Sequence, residues 1–173
     1  SVHADVNSEV KIRCTVGTQN SVRLNGVWRN EGLTYAQRIM ILHSHIISQS
    51  LYQCGTWSGV SHASAMRIHK LVMQVYRIIA KCDHHCVKAG KAQYTNDTDV
   101  IAKVGAPAPL LFVMHACVML LTRIACKCPT FHLTLLRMSA SYSKSWISRI
   151  SRDLLWLSSF RRFEECKEWP IEK

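Results

Sequence analysis

The sequence predicts an all-α protein of two small helical bundles, on three observations. Apolar residues recur at helical rather than alternating spacing through most of the chain. No hairpin turn is flanked by alternating apolar residues. Hydrophobic residues make up 48% of the 173 positions and charged residues 19%, which excludes an acidic or low-complexity disordered chain and leaves enough apolar surface for a core. The bundles fall at residues 1–81 and 97–160, with a polar linker at 82–96 and a mixed-charge tail at 161–173.

The first helix is expected from about Ser8, as N-cap, to Trp28, with Glu9 in its first turn and Asn30-Glu31-Gly32 as its stop. Gly17 and Gly26 weaken it. The second starts at the N-cap Thr34 and reaches Cys54 or Trp57. Its apolar residues, from Ile39 to Cys54, spread over most of the circumference, which reads as a helix buried all round. Gly55 and Ser58-Gly59 end it. The third runs from after Ser61 to about Lys81. At 100° per residue Arg67, Lys70, Arg77 and Lys81 gather on one face, and Ile68, Leu71, Val72, Val75, Ile78 and Ile79 occupy the opposite arc.

Beyond the linker, a short helix capped by Asp97 or Thr98 is expected to end at Gly105. A core helix follows from Pro109 to about Cys126. Val104 to Thr122 carries no charge, but Gly105, Pro107 and Pro109 interrupt it, and the continuous Leu110–Leu121 is too short for a bilayer core of ~30 Å at ~1.5 Å per residue. No membrane partner is therefore expected. A short helix at Pro129–Met138 precedes an amphipathic one at Ser143–Ser159. The latter would turn Trp146, Ile147, Ile150, Leu154 and Leu157 to the core.

Charge narrows the function classes. Lys and Arg number 22 and Asp and Glu 11, for a net charge of +11. An excess of that size points to a polyanionic partner. Residues 1–95 hold eleven of the cations against four carboxylates, and no Asp or Glu lies between Val60 and Lys81. The stripe of Arg67, Lys70, Arg77 and Lys81, extended by Lys88 and Lys91 of the linker, is the candidate nucleic-acid contact. Tyr35, Tyr52, Trp57 and Tyr76 interleave with these positions as stacking or core residues.

Catalytic patterns are lacking. The sequence has no Gly-rich phosphate loop, no Gly-x-Ser-x-Gly elbow and no adjacent aspartates. Asp97-Thr98-Asp99 reads as a helix start. Cys82-Asp83-His84-His85-Cys86 is a candidate zinc run, with Cys82, His85 and Cys86 completed by Cys126 or Cys128. Its spacing departs from Cys-x-x-Cys, so a solvated polar linker is preferred and no cofactor is expected. The eight cysteines, several inside apolar runs and with no signal peptide before them, fit a reducing compartment.

Four stretches carry a resemblance. Val27–Thr34 is a turn, Arg38–Trp57 a helix closing on Ser48-Gln49-Ser50-Leu51-Tyr52-Gln53-Cys54-Gly55-Thr56-Trp57, and Ile68–Ile79 a second helix. Thr98–Pro107 follows. In this order they resemble the region after the polymerase palm in non-LTR, LINE-like retrotransposon reverse transcriptases, over about residues 8 to 160. The resemblance implies that the first bundle is a three-helix, thumb-like grip on a template–primer duplex or RNA–DNA hybrid, working in the nucleus. It also implies a C-terminal fragment or decayed copy, because the paired palm aspartates that hold the catalytic metal ions are missing. Such a chain would bind nucleic acid through its backbone and catalyse nothing alone. The alternative is a helical interaction subunit docking into a larger polypeptide or assembly.

Overall fold

The computed structural model describes residues 5–57, 59–82, 86–88, 91–93, 95–142 and 145–158. Of 86–88, 91–93, 131–133, 135 and 157 it describes the backbone alone. The fold is all-α.

Helix α1 spans Val6–Arg23. It starts earlier than expected because Asp5 is the N-cap, its carboxylate accepting from the backbone N–H groups of Asn7 and Ser8 at 3.1 and 3.2 Å. The helix does not run on to Trp28. It breaks at Leu24 and resumes as α2, Asn25–Arg29. The break turns the Trp28 ring fully into the core, where its indole N–H donates to the Ser21 carbonyl at 2.9 Å.

Thr34 opens α3, Tyr35–Leu42, with a capping box to Gln37. A π-helical turn, His43–Ile47, then widens the spiral before α4, Ser48–Ser50. The turn re-phases the segment. Buried positions step from Arg38 to Leu42, Ile46 and Ser50 at four-residue spacing and stay on one side, while Met40 and Tyr52 are exposed. The helix buried all round is thus corrected to a one-sided helix with a wide turn. Arg38 is buried among its neighbours' carbonyls, donating from Nη2 to Asn30 and Leu33 at 2.7 Å each. Gln53 takes a left-handed backbone, φ 56°, and a 3-10 turn at Cys54–Thr56 leads to the buried Trp57.

Ser61 caps α5, His62–Ala80, as expected. The helix ends with Lys81 in the left-handed region, φ 52°. The Lys81 and Cys82 N–H groups close back on the Ile78 and Arg77 carbonyls in a Schellman arrangement. Within the expected polar linker two short strands, β1 (Cys86–Lys88) and β2 (Lys91–Gln93), pair antiparallel, with Val87 opposite Ala92. Strands of three residues are too short to show a period of two. Helix α6, Asp97–Val104, ends at Gly105 as expected, but its N-cap is Asn96. Asp97 does not cap. Its carboxylate turns back onto α5.

Helix α7, Leu111–Lys127, buries Leu111, Val113, Met114 and Cys117 in its first half only. Helices α8, Thr130–Ser139, and α9, Trp146–Ser158, lie against it and each other. Of the expected core stripe on α9, Ile150 is buried, Trp146 and Ile147 are half-buried and Leu154 is exposed. No helix among the described residues is long and apolar enough to cross a membrane.

The buried apolar residues other than Leu111 and Met114 form one cluster, from Val10 of α1 through α5 and α6 to Ile150 of α9. The cluster draws residues from both segments expected as bundles, 1–81 and 97–160. The joint is the 3-10 turn. It presses on α7 so closely that a Cβ at Gly55 would lie 2.7 Å from the Ala116 carbonyl oxygen. The Trp146 indole of α9 donates to the Gly55 carbonyl at 2.7 Å.

Candidate nucleic-acid interface

Helices α1 and α5 lie side by side and run in the same direction. Near their starts, the Asn7 side-chain oxygen accepts from the Ser61 backbone N–H at 3.1 Å and the Ser64 hydroxyl at 2.9 Å. Ten residues along α1, Gly17 meets Leu71 of α5. A Cβ there would lie 2.9 Å from Leu71 Cδ2 and 2.4 Å from Ser50 Oγ. Glycine lets α1 sink between α5 and α4 and fixes how deep a furrow remains at the surface.

That furrow is a groove of about 210 Å³. Lys11, Thr15 and Thr18 line it from α1, Arg67, Lys70 and Gln74 from α5, and Cys14 and Leu71 form its floor. Lys11, Arg67 and Lys70 are exposed, and among the described residues no carboxylate lines the groove. The Thr15 and Thr18 hydroxyls donate to the Lys11 and Cys14 carbonyls at 2.9 Å each. The donors left for an anion are the two ammonium groups, the guanidinium and the Gln74 amide. The buried Cys14 thiol is pushed up to about 11 by desolvation, against the pull of the Arg67 charge. It is a neutral floor under a cationic rim.

The expected stripe is split. Arg67 and Lys70 stay on the surface. Arg77 does not: it is 4% exposed, and its Nη2 donates to the Thr95 carbonyl at 3.0 Å and to the Asp97 carboxylate. Helix α6 covers this end of α5 and turns a surface cation into an internal ion pair. Lys81 is exposed but paired with Glu31. Lys88 and Lys91 face each other directly in the hairpin register, with side chains outside the described residues. Lys11 was missed by a pattern drawn on one helix, because the groove takes its third cation from another.

Asp97 is also held by His69, Nε2 to Oδ2 at 2.8 Å. Burial works to raise the Asp97 carboxyl. The hydrogen bonds and charges of His69 and Arg77 outweigh it, and the group titrates below the ordinary carboxylate range. His43 of the π turn packs edge-on against Phe112 of α7, ring centres 4.6 Å apart, and desolvation lowers its pKa.

The aromatic candidates divide as well. Tyr76 and Trp57 are core, and the Tyr76 hydroxyl donates to the Pro107 carbonyl at 3.1 Å. Tyr35 and Tyr52 are exposed. Among the described residues no three His, Cys, Asp or Glu side chains converge on a point that could hold a metal. Cys82 contacts the Lys103 ammonium at 3.6 Å, and Cys126 and Cys128 are free thiols on α7 and just past its end. His85 and the Cys86 side chain lie outside the described residues.

Compared with known protein families, curated proteins and solved structures, the chain matches none.

Proposed function

We propose that the chain binds nucleic acid through the phosphate backbone, with the α1/α5 groove as its contact surface and no catalytic step of its own. One observation carries this reading: Lys11, Arg67 and Lys70 converge from two helices on one groove that no carboxylate lines among the described residues. Phosphate contacts of this kind give affinity without reading sequence. A backbone contact is also what the resemblance to non-LTR reverse transcriptases implies for this region, in support of a polymerase centre whose aspartates this chain does not contain.

Three phosphates neutralised correspond to a slope of log K against log salt of roughly −2 to −3. Changing Lys11, Arg67 and Lys70 together to Ala should remove most of that slope in a titration of labelled oligonucleotide. An unchanged slope would reduce the groove to a solvated furrow. A second reading, a helical subunit docking into a larger assembly, is favoured by the exposed Met138, Leu154 and Leu155 of the C-terminal helices and Tyr142 between them. Sedimentation that shows self-association abolished by charge at Leu155 would support it.

A further inference from the structure

We infer that the nucleic acid this chain takes is single-stranded, crossing α1 from the basic groove to a stacking platform at Tyr52. The inference rests on the groove as the phosphate contact. Tyr52 is 62% exposed, the most open aromatic ring of the first five helices and their turns. Its position is fixed from below. The Arg13 guanidinium lies 6.0 Å from the Tyr52 ring centre and 5.9 Å from that of the buried Trp57. Arg13 is in turn held by the Tyr52 carbonyl and by an ion pair with Glu9. The ring is thus a supported surface rather than a free side chain, and Glu9 already offsets the charge beneath it.

The geometry joins this platform to the groove at one level of α1. Lys11, Ile12 and Arg13 are consecutive and sweep about 200° of the helix. Lys11 stands in the groove, Ile12 is 65% exposed on the outer face, and Arg13 sits under Tyr52. A helix with its side chains is ~10–12 Å across. A few nucleotides of one strand span that width. A strand with phosphates on Lys11, Arg67 and Lys70 can pass over Ile12 and lay a base on Tyr52. The amide pair Asn20 Nδ2 to Gln49 Oε1, 2.9 Å, flanks the same side of α1. An exposed ring face stacks on a base only where that base has an open face, which a single strand offers along its length and a duplex hides.

The test uses the full chain and three probes read by fluorescence anisotropy: a short pyrimidine strand, an abasic strand of equal length, and a duplex. The pyrimidine strand should bind about fivefold or more tighter than the abasic strand, the lower end of one base stacked on one aromatic side chain. Tyr52→Ala should abolish that difference and leave abasic binding and its salt slope unchanged. Tyr52→Trp should restore it. Equal binding of base-bearing and abasic strands, or a duplex bound as tightly as the single strand, overturns the single-strand inference and leaves the backbone reading standing. Failure of all three probes to bind overturns both.

Discussion

Helices α5 and α7 are nearly equal in length, 19 and 17 residues, and α7 carries fewer charges. Yet α5 buries ten residues and α7 four. The cause is what lies around them. Helix α5 is covered by α1, α2, α3 and α6, whereas α7 meets the 3-10 turn at its first half and only α8 and α9 beyond it. Burial follows neighbours rather than hydropathy. A charged residue such as Arg77 can be internal on the crowded helix while Met119 stands in solvent on the sparse one.

That contrast can be broken by mutation. The largest effect is expected on the crowded side. Trp28→Ala removes a fully buried ring and its hydrogen bond, and should lower unfolding free energy in urea by about 3–5 kcal/mol. Next comes the joint. Gly55→Ala sets a methyl against the backbone of α7, which cannot rotate away, at a cost of about 1–3 kcal/mol. Amide exchange should show α7 loosened more than α5.

Proton linkage acts at the same joint, more weakly. The lowered pKa of His43 means that the unfolded chain takes up a proton first. Its contribution is complete above about pH 6.5 and is lost as pH falls through the folded value. The melting temperature should therefore decline from pH 7 to pH 5.5, with a smaller decline in His43→Leu. The depressed Asp97 carboxyl has the same sign at lower pH. Its contribution is present above the unfolded value of about 3.9 and is lost only as pH falls through the still lower folded value. The smallest effect belongs to the sparse side: Leu155→Ser, at a residue 70% exposed, should stay within about 0.5 kcal/mol of the parent.

Local signals were legible in the sequence. The caps at Thr34 and Ser61 and the stop at Gly105 each act within one turn of chain, and each stands where the pattern put it. Long-range facts were not. The partner that internalises Arg77 lies 20 residues away on α6, and nothing in the spacing of α5 marks it. Arg67 and Lys70 were visible as a stripe, but the groove needed Lys11, whose place depends on the two helices running parallel. The reading of residues 34–57 as buried all round failed because a fixed 100° step was carried across a turn that does not have that step.

That turn also bears on chain length. The Ser48 N–H reaches back five residues to the His43 carbonyl, so the segment holds one more residue than an α-helical turn needs. Removing a single residue from 43–47, such as the exposed Ser44, would convert the bulge to ordinary helix and leave Arg38 and Ser50 on the same side. The same deletion in the middle of α5 would rotate everything after it by about 100° and drive the core face outward. The π turn is the one place in this helix pair where the register has a residue to spare.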